Sequence, residues 1–535
     1  MNDHDKARFD ALVDWSRQRG GDLPLEVYRD DVTGFSLRNP VQAAPLEPGF
    51  VAVVCPLSTT LSFLNALADG PLQLSSEPLS RPHHPAFPKP FMQSLPPYVI
   101  GRFFLIKEYL KGRQSYWWPY LATLPAPEQI AAWVLPAFWP EDDIFYLDGT
   151  NAGMAIGEIQ DNLKREFKQA RKILKEEGWP DYSNYTQLLY RWAYSIFSSR
   201  SFRPSLVLSP AARSRITSLL PPGCQIDDFS ILQPLFDIAN HFPTARHTWD
   251  SQPTADGAEE ACRLICHDHY GPGEQVFNNY GPDKTNSELL LSYGFILPET
   301  DAIHNDYIHV RKRGGGPGVD AGRDNRGEES RSGETEQPKD FLISLRPIAH
   351  PSSLAAHSRL RRAAADATAA AAAAMAQASD ADGDSATPPT PQSATRSLTD
   401  LPCFAHFEPA LVEDITEAVV SPEERQALHQ WTAPSTSSDS RPEHAVLPPE
   451  LAGLAAKVRE VLVRKLRDDL RRLRSVKVLE VHGDEGGEGS DEEEEGEEEY
   501  VLPPPGNRNQ QVAVEYRRQC EKVLVAALAG LEERD

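Results

Sequence analysis

Chemistry is concentrated in two short stretches, LFDIANH at Leu235–His241 and FNNYGPDKTNSELLLSYGFIL at Phe277–Leu297. Asp237, Asn240 and His241 set hydrogen-bonding side chains among Leu235, Phe236 and Ile238. Polar groups embedded in apolar sequence must find partners or act on something. Tyr280 opens the second stretch, and Tyr293 and Phe295 close it. An ordinary phenol, with a pKa of about 10, stays protonated at neutral pH and is a hydrogen-bonding group rather than a base. Taken singly, Asp237, Asn240 and His241 read as a satisfied polar turn and the three aromatics as core. Their joint order and spacing is what points to a site.

Such residues need rigid elements to hold them. Gly273-Glu274-Gln275 is turn chemistry and Val276-Phe277 a short strand signal, while Asn286-Ser287-Glu288 reads as a helix cap ahead of Leu289–Leu291. Toward the N-terminus, Phe9, Leu12, Val13 and Trp15 recur at helical spacing. Strand signals follow at Leu25–Tyr28, Gly34–Arg38 and Phe50–Val54, then a Pro- and Ser-rich loop over 70–97. The pattern from Val99 to Arg200 is helical, ending in a helix at Gln187–Phe197. Trp117, Trp118, Trp133 and Trp139 are dense enough to form an aromatic cage, although tryptophans in such company are more often core. Cys262, Cys266, His267 and His269 invite a zinc reading. Leu264-Ile265 between them reads as a strand, whose side chains alternate between faces, so the expectation is a strand and no metal.

With 535 residues the chain is too long for one core, and its 40% hydrophobic content suffices for two or three. The formal net charge is -24; Asp484–Glu499 contributes eleven acidic residues and no basic ones, leaving -13 on the remainder. That balance disfavours broad binding to nucleic-acid phosphates and favours a basic protein partner. Six scattered cysteines do not make a disulfide framework, and the charged N-terminal segment is no signal peptide. A cytoplasmic or nuclear setting, with no membrane span, is the expectation. Past Arg311 the composition shifts: 313–338 is a Gly- and charge-rich linker, 363–399 is Ala-, Ser- and Pro-rich, and 484–499 is an acidic tract. Helical character is expected at 341–362, 404–431, 451–473 and 512–531. The basic face of the third of these, with Lys457, Arg464, Arg467, Arg471 and Arg474, reads as a nucleic-acid contact or, more commonly, a solvated face.

The NH dipeptide at Asn240-His241, followed by YG and NSELLLSYGF, resembles the SET-domain methyltransferases of the Rubisco large-subunit and ribosomal-protein type. GRFFLIKEYLKG, FWPEDD and SSRSFRPSLVLS resemble the fungal ribosomal-lysine branch. The resemblance implies an α+β fold: a SET-type β-fold (1–98 and 206–312) interrupted by a helical insertion (99–205), then the linker and an α-helical substrate-binding domain (339–535). It implies S-adenosyl-L-methionine as cofactor, held by Gly34, Ser36, Leu37, Arg200, Asp237, Asn240, His241, Tyr280 and Phe295. Tyr280 would be catalytic, and Arg200, Trp249 and Tyr293 would contact substrate. Ser36 stands where the family carries its second glycine, and serine permits a less close backbone approach. The implied activity is lysine methylation of a non-histone protein, ribosomal in the nearer branch, by a monomer that binds no nucleic acid directly. The alternatives are a histidine acceptor, as in the actin-methylating branch, or a non-catalytic scaffold. The three-cysteine zinc tail of histone-type SET enzymes is absent.

Overall fold

The computed structural model describes residues 1–30, 33–72, 85–129, 134–254, 260–312, 339–379, 397–432, 447–479 and 500–532. The expected linker at 313–338, the acidic tract at 484–499, Trp133 and part of the 363–399 tract lie outside them. Two compact units result. One comprises Met1–Trp139, Ile156–Pro282 and Leu291–Gly294; the other, Pro140–Ala155, Asp283–Leu290 and Phe295–Asp535. Residues 140–155 and 295–312, read in the sequence as parts of the helical insertion and the SET domain, thus go with the second unit.

The first unit is built from short sheets. Strands β1 (Glu26–Asp30) and β2 (Gly34–Arg38) form an antiparallel hairpin, joined at its far edge by β9 (Gln275–Val276). β3 (Phe50–Pro56), β8 (Glu260–Cys266) and β7 (His247–Pro253) make a second sheet, and β4 (Leu61–Ser62), β6 (Ile231–Leu232) and β5 (Ser201–Phe202) a third. Helices at Pro97–Leu110 and Gln187–Arg200, with the Asn151–Glu176 helix from Ile156 onward, supply this unit's part of the insertion. Their aromatic positions interlock: Phe103 stacks on Tyr185 with centroids 5.7 Å apart and tilts against Tyr190 at 5.3 Å. Trp117, read as core, is buried, and its indole N–H donates to the carbonyls of Thr59 and Thr60 at 3.1 and 3.0 Å. That bond fastens the insertion to the start of β4.

The second unit contains helices at Pro409–Val419, Pro422–Thr432, Pro449–Arg474 and Arg508–Glu532. Leu451, Leu454, Val458, Leu462, Leu466, Leu470 and Leu473 form the buried stripe of the third. Its basic face is neutralised locally: Lys457 pairs with Glu424 at 2.9 Å, Arg467 with Glu532 at 3.0 Å and Arg474 with Glu521 at 2.8 Å. The sequence expectation of helix from 341 is corrected: β10 (Tyr307–Lys312) pairs antiparallel with β11 (Lys339–Ser344), and helix begins at Leu354. Phe341, Leu342 and Ile343 are all buried, which suits a strand enclosed on both faces. The cap of the Asn286–Tyr293 helix also moves by one residue. The Thr285 amide donates to Glu288 Oε2 at 2.9 Å and the Glu288 amide to Thr285 Oγ1 at 3.3 Å, a reciprocal box.

Candidate functional site

Leu235 opens the site with φ +72° and ψ −38°, backbone that a branched side chain adopts only where its surroundings enforce it. It is 0% exposed, so the packing that enforces this encloses it completely. The turn Phe236–Ile238 follows and aims Asp237 inward, its side chain 2% exposed. Next, the chain crosses a second segment. His241 bridges Asn278 in parallel; the Asn278 amide donates to the Asn240 carbonyl at 2.8 Å and the Phe242 amide to the Asn278 carbonyl at 2.9 Å.

Tyr280 sits where the two segments meet. Its amide donates to His241 Nδ1 at 3.0 Å, which leaves the proton of a neutral imidazole on Nε2. Its ring lies between His241 (centroids 5.1 Å, planes 23° apart) and Tyr293 (4.8 Å, 29°). Its hydroxyl donates to the Ala239 carbonyl at 3.0 Å. Burial, with Tyr293 adding to it, pushes this phenol well above its usual range, so it remains a hydrogen-bond donor. Gly294, at φ +76°, turns the chain directly after Tyr293; a Cβ there would overlap the Val134 carbonyl oxygen.

A buried polar chain stands behind this centre. Arg200, the last residue of the Gln187–Arg200 helix, donates through Nη1 to Asp237 Oδ2 at 3.2 Å and to the Asp237 carbonyl at 3.3 Å. Tyr120 donates its hydroxyl to the same Oδ2 at 2.9 Å. Burial pushes the Asp237 carboxyl up against the opposing pull of Arg200 and Tyr120. Burial and Asp237 together push the Tyr120 phenol far up. Sequence reasoning missed Tyr120; the one signal available was a phenol in a segment too apolar to leave its hydroxyl unpartnered.

The remaining expected residues are placed as follows. Asn240 donates through Nδ2 to Thr33 Oγ1 at 2.8 Å. Trp249, on β7, donates its indole N–H to Asn278 Oδ1 at 3.0 Å and packs edge-on against Phe202 at 5.4 Å. Asn278, itself missed, is buried, and its Nδ2 has no hydrogen-bond partner among the described residues. Gly34 starts β2 at φ +80° with nothing within 4 Å of a would-be Cβ, so backbone conformation rather than close packing requires the glycine. Ser36 is buried and accepts from Gln275 Nε2 at 2.7 Å; Leu37 is buried opposite Val276. Phe295 falls in the second unit. The Cys262 and Cys266 thiols lie on β8, both pushed up by burial, Cys266 to about 12. Among the described residues no group of three His, Cys, Asp or Glu side chains could hold a metal ion.

Three small sheets interrupted by a helical insertion, with an NH turn bridged to a segment carrying a buried tyrosine, make a fold similar to that of a solved SET domain. The chain has an α+β fold with a helical C-terminal region, and the proteins it is similar to include lysine methyltransferases, among them those of the Rubisco large subunit. Among solved structures, the SET domain of LSMT bound to lysine and AdoHcy aligns over 99% of this chain and 91% of its own, with a TM-score of 0.53 and 13% identity. Rubisco LSMT bound to AdoMet aligns over 100% and 92%, with a TM-score of 0.51 and 14% identity. The ribosomal lysine N-methyltransferase set10 of Schizosaccharomyces pombe is 29% identical over 289 residues, 52% of this chain and 45% of that protein. The chloroplastic fructose-bisphosphate aldolase-lysine N-methyltransferase of Arabidopsis thaliana is 29% identical over 241 residues, 41% and 44%. The actin-histidine N-methyltransferase of Xenopus tropicalis is 24% identical over 187 residues, 34% and 28%. The chain thus spans under half the length of these curated relatives. No family model matches it.

Proposed function

We propose that this protein is an S-adenosylmethionine-dependent protein-lysine N-methyltransferase, acting as a cytoplasmic or nuclear monomer on a basic, non-histone protein of the ribosomal kind. The observation that carries the reading is the position of Tyr280. Its hydroxyl is fixed on the Ala239 carbonyl and its ring is clasped between His241 and Tyr293, so turn and phenol converge. The residues present fit the cofactor: Asn278 Nδ2 is a buried donor without an acceptor among the described residues, and Gly34 leaves open space beside its backbone. Asn240, His241 and Asp237, backed by Arg200, would hold it. When bound, S-adenosylmethionine supplies an electrophilic methyl group and a positive sulfur that disfavours protonation of a nearby amine. Stacked rings exclude water, and desolvation also lowers an amine's pKa from about 10.4 toward neutrality. Tyr280, as a protonated phenol, orients that amine; alignment of this kind is worth several kcal/mol of barrier.

Incubation with labelled donor and a cytosolic extract tests the reading. Wild type should label a protein at lysine, and Tyr280→Phe should label it about a hundredfold more slowly. Equal labelling by the variant would remove Tyr280 from its role. Label recovered in methylhistidine would move the acceptor to histidine, as the name of the Xenopus relative suggests. Calorimetry with S-adenosylmethionine separates enzyme from scaffold, since a scaffold shows no heat of binding.

A further inference from the structure

We propose that the groove beside Phe242 docks a basic segment of the protein substrate that carries an aromatic or aliphatic side chain. The proposal rests on the methyltransferase reading above and adds where the substrate is gathered. The groove, about 490 Å3 and wholly within the first unit, is lined by Phe242, Thr244, Asp268, Tyr270, Glu274 and Phe277. Phe242 is 48% exposed, and its ring meets Phe277 at 5.3 Å. Val41, 60% exposed, lies 3.7 Å from where a Cβ on Gly273, the neighbour of Glu274, would lie. Exposed apolar side chains gathered in one place mark contact surfaces where isolated ones do not.

The rim gives the chemistry of the occupant. Glu47, Asp268 and Glu274 supply three carboxylates. Arg246 is bonded to Asp268 at 2.7 Å, and the imidazole of His269 stands 3.2 Å from Glu47. The rim is therefore net negative, on a chain of formal charge -24. A lysine- or arginine-bearing chain is attracted and a phosphate backbone repelled. An aromatic or aliphatic side chain against Phe242 would provide the apolar anchor. The placement also matters. Along an extended chain successive side chains alternate in direction. At the His241–Asn278 crossing, the members facing inward are His241 and Asn278; their neighbours Phe242 and Phe277 wall the groove. A segment bound there is held one backbone crossing away from Tyr280.

The test uses fluorescence anisotropy on the full chain, with a labelled peptide of alternating lysine and leucine bearing one phenylalanine, and a matched peptide with glutamate for lysine. The lysine peptide should bind at least tenfold more tightly than its glutamate counterpart, with affinity falling as salt is raised. The double variant Phe242→Ser/Val41→Ser should weaken it tenfold or more, and Glu47→Gln/Glu274→Gln should remove most of the salt dependence. Calorimetry should find S-adenosylmethionine affinity unchanged in both. Equal binding of the two peptides, or undiminished binding by Phe242→Ser/Val41→Ser, overturns the proposal. So does displacement of the peptide by a single-stranded RNA, or a parallel loss of donor affinity, which would assign the groove to the donor. Peptide binding at this groove by a chain that takes no donor leaves the surface standing and overturns the enzyme reading instead.

Discussion

Two three-membered polar chains, one in each unit, have bonds of similar length and different destinations. In the first unit, Arg200 and Tyr120 converge on Asp237 at 3.2 and 2.9 Å. In the second, Thr285 Oγ1 lies 2.8 Å from His309 Nε2, and His309 Nδ1 lies 2.9 Å from Asp340 Oδ2. On paper the second is a hydroxyl–imidazole–carboxylate relay, the arrangement of a nucleophilic enzyme. Yet Thr285 is 0% exposed, and its oxygen caps a helix through the Glu288 amide. Asp340 is already shared with Arg359 at 3.0 Å. The bonds there tie a helix end, the β10–β11 hairpin and the Leu354–Ser379 helix together. The Asp237 chain leads elsewhere: two residues on, the Ala239 carbonyl receives the Tyr280 hydroxyl. What separates a site from a strut is where the chain of bonds ends, and distances alone do not reveal it.

Breaking the first chain should have the largest effect. Asp237→Ala leaves a part-buried guanidinium with only the backbone carbonyl of residue 237 and a buried phenol without its acceptor, a loss of about 2 to 4 kcal/mol in urea unfolding together with loss of donor binding. His309→Ala should lower stability by about 1 to 3 kcal/mol, since Thr285 and Asp340 each lose a bond, with donor affinity by calorimetry unchanged. Should His309→Ala abolish donor binding, the contrast between the two chains fails. Tyr120→Phe keeps the ring and removes the hydroxyl; about 1.5 to 3 kcal/mol is at stake, and donor affinity should fall while the Pro97–Leu110 and Gln187–Arg200 helices persist by circular dichroism.

The smallest expected effect is in pH. Burial pushes the Asp306 carboxyl up from 3.8 to about 6, and burial pushes His304 down from 6.5 to about 4. The raised acid stabilises the fold below pH 3.8, and that contribution is lost as pH rises through 6. The lowered base does the reverse, stabilising above pH 6.5 and failing as pH falls through 4. The two offset each other in the wild type. Relative to it, Asp306→Asn should lose stability on going from pH 6.5 to 4, and His304→Gln on going from pH 4 to 6, read as shifts in the urea midpoint.

The local part of this molecule was legible in the sequence. Period-3.6 apolar residues gave the helix expected at 451–473 and found at Pro449–Arg474, and turn residues gave the strand at Gly34–Arg38. The conjunction of NH, YG and NSELLL gave the fold and the crossing at Tyr280. Partners distant in sequence were not legible. Tyr120 meets Asp237 across 117 residues, and nothing in the spacing of either announces the other. The β10–β11 hairpin was misread because its two strands flank residues 313–338, so no short turn joined them into a visible pair. Asn278 was overlooked because an Asn-Asn pair before a tyrosine looks like loop, whereas its amide is what binds Trp249.

The crossing at His241 and Asn278 also sets a timetable for synthesis. Ser36 waits for Gln275, 239 residues later, and Thr33 for Asn240, 207 residues later. A nascent chain emerging from the ribosome therefore carries the β1–β2 hairpin without its third strand until β9 has been made, and contacts of such span close slowly. The segment carrying Tyr280 can join the Asn240 turn only after residue 280 has been added.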